Sequence, residues 1–144
     1  MPPLKTLAII QARMNSSRLP GKVLLDIAGK PMLAHVVERT RLAKSIDEVR
    51  VATTTDPSDD AVEAFCLSQG YACYRGSAYD VLDRYYQAAG EAGGGSGVDL
   101  IVRITADCPV IDPQVIDRTV CLFLGLPYQS GGSRAGGSQT GGSR

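Results

Sequence analysis

Leu7-Ala8-Ile9-Ile10, running into Gln11-Ala12-Arg13-Met14-Asn15-Ser16-Ser17-Arg18-Leu19-Pro20-Gly21-Lys22, is the stretch on which the fold of this chain turns. Consecutive apolar residues without polar alternation predict a strand buried on both faces, the habit of a central parallel strand in an α/β sheet. A loop then leaves the carboxyl end of that strand, where open α/β sheets place their ligands. It carries Arg13, Arg18 and Lys22 together with Ser16, Ser17 and Gly21. Forked guanidinium donors, a compact ammonium and small residues that let backbone N–H groups approach are suited to polyphosphate. The plainer reading is a solvated basic surface loop. Its position directly after a buried strand favours the anion site.

The 144 residues, 44% hydrophobic and 21% charged, suffice for one soluble domain with a core. Fifteen acidic residues balance fifteen basic ones, so any anion binding is local, and neither nucleic acid nor an anionic membrane is an expected partner. Cys66, Cys73, Cys108 and Cys121 form no C-x-x-C pair and have no His at metal-ligand spacing, so they read as reduced cytosolic thiols. The early apolar run is too short for a signal-peptide core and no window approaches a membrane span. A cytoplasmic location is the expectation.

Outward from the basic loop, Val23 to Ala28 is a short apolar segment closed by Gly29-Lys30, and Pro31 stands where a helix begins. Leu33, Val36, Val37, Thr40 and Ala43 then share one helical face; His35 in that helix reads as a packing or surface residue. Val49–Thr54 is a β-branched second strand. Asp59 and Asp60 after it read as acidic first-turn residues complementing a helix dipole, and Gly70 ends that helix. Tyr71–Arg75 is a short third strand, giving a βαβαβ order. A helix from Asp80 is expected to bury Val81, Leu82, Tyr85, Ala88 and Ala89, and the glycine-dense segment from Gly90 to Gly97 reads as a flexible surface loop. The fourth strand, Leu100–Thr105, runs into Ala106-Asp107-Cys108-Pro109, and Asp112-Pro113 starts another helix. Asp107 at that strand end reads equally as a turn cap or as a carboxylate holding Mg²⁺ against phosphates. From Gly125 onward the Gly/Ser/Arg near-repeats lack apolar content, so residues 125–144 are expected to form a disordered tail.

The motifs Ile10 to Lys22, Gly29-Lys30-Pro31-Met32, Val51-Ala52-Thr53-Thr54, Arg75-Gly76-Ser77, Asp80 to Tyr85 and Arg103 to Pro109, in order and at matching spacing, resemble the cytidylyltransferase family of sugar nucleotidyltransferases, in particular its spore coat polysaccharide biosynthesis group. The resemblance spans residues 6 to about 124 and makes residues 1–124 the nucleotidyltransferase domain. It implies a three-layer α/β fold of the nucleotide-diphospho-sugar transferase, glycosyltransferase-A-like type, with a mainly parallel central sheet that is incomplete at the C-terminus. It implies CMP transfer from CTP to a sugar, an acidic one by the class, with pyrophosphate leaving, in surface or spore coat polysaccharide synthesis. By motif matching, Arg13 and Lys22 would serve as the catalytic cations on the triphosphate. Ala12, Ser17, Arg18, Thr53, Thr54, Arg75 and Arg84 would contact the nucleotide or sugar side, and Asp107 would ligate Mg²⁺. Members of the family are often homodimers. Ala106 stands where the family usually has Gly, and its methyl is expected to crowd a nucleotide lying against the backbone. Family members continue beyond residue 124 into the part that supplies the sugar pocket, so a CTP-binding fragment without a sugar site is the competing expectation. A glycosyltransferase of the same fold is the remote one, its usual Asp-x-Asp motif being absent at Asp107.

Overall fold

The computed structural model describes residues 3–92 and 97–130. The elements run β1 (Thr6–Gln11), β2 (Asp26–Ile27), β3 (Lys30–Pro31), α1 (Met32–Arg41), β4 (Glu48–Thr54), α2 (Asp60–Gln69), β5 (Cys73–Gly76), α3 (Val81–Ala92), β6 (Leu100–Thr105) and α4 (Pro113–Phe123). The main sheet has the order β5-β4-β1-β6 with every pair parallel, so the apolar run at Leu7–Ile10 is indeed an interior strand. Ile10 pairs with Val51 of β4 on one side and with Ile104 of β6 on the other.

Strand alternation sends successive side chains to opposite faces. Ala8 and Ile10 join Leu33, Val36 and Val37 of α1, Val62 and Cys66 of α2 and Ile116 of α4 in the larger core cluster. Leu7 and Ile9 join Tyr85 and Ala88 of α3 in the smaller one. The result is three layers, with α1, α2 and α4 on one face of the sheet and α3 on the other. Leu7 through Ile10 are 0% exposed, and truncating any one of the larger three to Ala costs about 2–5 kcal/mol through lost transfer energy and the cavity left behind.

The α1 face is as the spacing predicts for Leu33, Val36, Val37 and Thr40, all buried, while Ala43, also buried, lies just beyond the helix end. Gly70, at φ +69, closes α2. Asp112 caps α4 by accepting from the Gln114 amide at 2.8 Å, with Pro113 next to it. Asp117 of α4 ties that helix to the end of α1, accepting from the Ser45 hydroxyl at 2.6 Å and the Ser45 and Lys44 amides at 2.8 and 3.1 Å. Burial pushes the Asp117 carboxyl up, but these donors pull it further down, below the usual carboxylate range.

Four expectations change. The segment Val23–Ala28 is no single apolar piece: a 3₁₀ turn over Lys22–Leu24 leads into the β2–β3 hairpin. Ala28 (φ 52) and Gly29 (φ 93) make its two-residue loop, as the twist of a tight hairpin requires, and His35 meets Ile27 O at 2.6 Å, fastening the ribbon to α1. Leu82 is 81% exposed, because the face of α3 that meets the sheet runs through Val81, Arg84, Tyr85 and Ala88, about 100° away around the helix. Gly90 is helical, within α3, while residues 93–96 of the glycine-dense segment lie outside the described residues. Gly125 (φ 67) and the Leu126 amide, which donates to Cys121 O at 2.8 Å, close α4, so the ordered chain runs past 124; residues 131–144 of the expected tail lie outside the described residues.

Candidate active site

The basic loop has a shape imposed from two sides. Gly21 takes φ +73, which only glycine adopts without strain, and its amide donates to Met14 O at 2.8 Å, closing the loop on itself. From below, the Asp59 carboxylate accepts the Met14 amide at 2.7 Å and also the Thr54 hydroxyl. Asp59 is 2% exposed. It stands at the N-terminus of α2 as expected but makes no side-chain cap bond to that helix; its carboxylate is instead the strut between the β4–α2 turn and the basic loop. Asp60, likewise expected to complement the dipole, does stand in the first turn of α2, and it also pairs with Arg75 at 2.7 Å.

Held this way, the loop forms one wall of a cleft of about 360 Å³ at the carboxyl ends of β1 and β6. Arg13, Ser17, Lys22, Arg103, Thr105 and Asp107 line it, with Ala106 and Gln11 at its floor. Lys22 Nζ stands 3.4 Å from Asp107 Oδ2. The Thr105 hydroxyl, and after it Lys22, hold the Asp107 carboxyl below the usual carboxylate range, so it is ionised at neutral pH. Arg13 is exposed and makes no side-chain hydrogen bond or ion pair with the described residues. Ala106, 2% exposed, borders the cleft floor while also belonging to the larger core cluster.

The other residues singled out in the sequence stand away from the cleft wall. Arg18 is exposed on the outer part of the loop, and Ala12 is a core residue whose amide extends the β1–β4 ladder to Ala52 O at 3.0 Å. Thr53 and Thr54 are 0% and 1% exposed. Arg75 is spent on Thr54 O, Asp56 O, Asp60 and Glu63, all within 2.9 Å. Arg84 is 0% exposed, its Nη1 donating to Ser77 O at 2.5 Å while Nε and Nη2 find no partner among the described residues. Burial, then the like charge of Arg13, pulls its pKa down. Gly76 makes room for it, since a Cβ there would lie 2.9 Å from Arg84 Cγ and 2.8 Å from the Tyr74 ring.

Gln11, Arg103 and Thr105 are cleft residues that sequence reasoning left without a role. Their signal was parity: Gln11 pairs with Thr105 and Ile9 with Arg103, so all three polar side chains fall on one face at the open ends of two buried strands. A larger cavity of about 560 Å³ lies by α1 and α4, lined by residues such as Leu42, Cys121 and Tyr128. Its two acids, Asp112 and Asp117, are already committed to backbone and hydroxyl donors, whereas the smaller cleft gathers Arg13, Lys22 and Arg103 around one carboxylate. Among the described residues no three His, Cys, Asp or Glu side chains cluster as a metal cage. Asp107 still suits Mg²⁺, which commonly takes one or two carboxylates and completes its shell with water and substrate oxygens. Besides the Thr105 hydroxyl, its oxygens meet Lys22 at 3.4 Å and the Cys108 thiol at 3.8 Å, contacts long enough to yield to a cation.

Residues 7–126 match the family model described as cytidylyltransferase. The chain belongs to the cytidylyltransferase family. This family member is 42% identical over 115 residues to the spore coat polysaccharide biosynthesis protein SpsF of Bacillus subtilis, a match covering 77% of the chain and 46% of the relative. A solved cytidylyltransferase from Leptospira borgpetersenii superposes with a TM-score of 0.76 at 40% identity, over 85% of this chain and 50% of that one. A CMP:2-keto-3-deoxy-manno-octonic acid synthetase, solved in complex with CTP, superposes with a TM-score of 0.68 at 32% identity, over 84% and 48%. The chain thus spans about half the length of the relatives it matches. Those superpositions agree with the central parallel sheet and its three layers. No described helix is long and apolar enough to cross a membrane.

Proposed function

We propose that this cytidylyltransferase-family chain binds CTP in the cleft between the basic loop and Asp107, and that it takes part in transferring CMP to an acidic sugar. The observation that carries this is the convergence of Arg13, Lys22 and Asp107 on one cleft at the carboxyl ends of parallel strands. Membership of the family selects CTP among polyphosphates, and the octonic acid named for one solved relative supports an acidic acceptor.

In that reaction an acceptor hydroxyl oxygen bonds to the α-phosphorus as the bond to the α–β bridging oxygen breaks. Pyrophosphate leaves with the electron pair, and the hydroxyl proton passes to solvent. Negative charge grows on the departing group, so fixed cations near it stabilise the transition state more than the bound substrate. Arg13 offers a guanidinium with no partner to give up among the described residues, and Lys22 an ammonium that exchanges a 3.4 Å contact with Asp107 for phosphate. Ser17 adds a hydroxyl on the same wall. Asp107 would hold Mg²⁺, whose chemistry here is to neutralise the triphosphate.

Calorimetric titration of the full chain with CTP and Mg²⁺, repeated with ATP and with Asp107→Asn, tests the binding half. CTP-selective affinity that loses its Mg²⁺ dependence in the variant is the expected result; equal affinity for both nucleotides would overturn the base assignment. The half-length coverage of the relatives favours a second reading, in which these residues hold the nucleotide and the acceptor contacts lie outside them. Pyrophosphate release with acidic sugars separates the two. A part in surface or spore coat polysaccharide synthesis belongs to the first reading, on the strength of the name of the Bacillus relative.

A further inference from the structure

Arg103 is a cleft cation that the basic loop does not supply. It stands on β6 beside Ile9 of β1, on the face of the sheet that carries α3. Its guanidinium lies 5.3 Å from the centre of the Tyr85 ring. Its Nη2 donates to Gln11 Oε1 at 3.5 Å, and the same oxygen accepts the Tyr85 hydroxyl at 3.1 Å. Tyr85 is itself 8% exposed, fixed by packing in the smaller core cluster. Three elements therefore hold one guanidinium at the cleft floor.

What holds it does not neutralise it. A ring face and an amide oxygen orient the group, yet no carboxylate among the described residues pairs with it, while Arg13 and Lys22 share the cleft with the single acid Asp107. The lining thus carries three cations against one carboxylate, a surplus of two positive charges. A guanidinium stacked on an aromatic ring keeps its in-plane N–H edge for acceptors, and its fork matches planar or tetrahedral oxyanions. Because ring and amide already restrict its rotamers, less freedom is lost when an anion arrives.

We propose that Arg103, oriented by Tyr85 and Gln11, binds an oxyanion of the substrates, either a phosphate of the nucleotide or the carboxylate of the acceptor sugar. The naming of those two sources rests on the cytidylyltransferase reading above; the anion site itself rests on the charge and geometry of the cleft.

The test is calorimetric titration of the full chain and of Arg103→Gln with three probes: inorganic pyrophosphate, CTP with Mg²⁺, and 2-keto-3-deoxy-manno-octonic acid added to the CTP-saturated protein. Loss of about ten-fold or more in affinity is expected for at least one of these anions. Weakened pyrophosphate and CTP identify a phosphate as the partner; weakened sugar acid alone identifies the carboxylate. Arg103→Gln binding all three within about two-fold of the parent, at an unchanged melting temperature, overturns the proposal. So does a parent chain that binds none of them. A parent that binds pyrophosphate through Arg103 but does not distinguish CTP from ATP leaves Arg103 in place and removes the CTP assignment instead. Should Arg103→Gln fail to fold, Arg103→Lys keeps the charge and loses the fork; a loss of about three-fold or more supports the proposal and unchanged affinity overturns it.

Discussion

At the carboxyl ends of β4 and β5, Arg75 is enclosed by acceptors: two carboxylates and two backbone carbonyls take its donors within 2.9 Å. At the carboxyl end of β1, Arg13 faces a cleft where Lys22 and Arg103 are its companions and Asp107 is the lining acid. Both arginines stand at the carboxyl end of a β-strand, both belong to motifs that match the family, and both invited the same assignment to substrate. Their surroundings assign them differently. Arg75 fastens the start of α2 to the sheet ends, and its guanidinium is held raised in pKa by Asp60 and then Glu63. Arg13 has donors and no described acceptor, the condition of a residue whose partner is a ligand. The difference lies in local charge balance rather than residue type.

The comparison breaks most visibly under substitution of the cleft cations. Arg13→Ala or Lys22→Ala is expected to weaken CTP binding by about ten- to a hundred-fold, the worth of one or two charge-assisted bonds, with little change in melting temperature. Titration of both variants decides it, and unchanged affinity in both would remove the phosphate role. Arg75→Ala should invert that pattern. Stripping a partly buried hub of four acceptors is expected to cost about 3 kcal/mol, seen as a melting temperature lower by roughly 10 °C, while the protein that remains folded binds CTP within about two-fold of the parent. A large affinity loss at unchanged stability would return Arg75 to the site.

Asp59→Asn sharpens the contrast between a residue at the cleft and one beneath it. It should cost about 2 kcal/mol of stability and weaken CTP several-fold, through the loop and not through contact. If affinity holds while stability falls, Asp59 supports the core alone. The smallest effect concerns Asp117, whose folded carboxyl lies below its ordinary value. Its contribution is complete above the unfolded value of about 3.9 and fades as pH drops through the folded one. The melting temperature of Asp117→Asn should therefore trail the parent by a constant few degrees from pH 7 to 5, the gap narrowing below about pH 4. A gap that widens with acid would place the cause elsewhere.

Much of the frame was legible because its signals are local. An unbroken apolar run, a heptad-like stripe at Leu33 to Ala43 and a proline after Asp112 each decide an element by their own spacing. The basic loop and Asp107 were legible as chemistry, and the cleft joins them. What escaped depends on distance along the chain. Arg75 meets Asp60 and Glu63 across fifteen and twelve residues, and Asp59 reaches Met14 across forty-five, so no window of sequence contains both partners. Arg84 is assigned by motif matching to the nucleotide or sugar side; only the packing of α3 over Gly76 makes it a buried residue. The β2–β3 hairpin, two residues to a strand, is too short for alternation to register.

The bond from the Met14 amide to Asp59 has a consequence in time. A hydrogen held by a carboxylate that is itself 2% exposed leaves for solvent only when the β4–α2 turn lets go of the loop. In heavy water, Met14 should keep its proton far longer than the neighbouring amides of Arg13 and Ser17, on the schedule of the turn beneath it. Exchange at that one amide would then report how long the cleft stays assembled between openings.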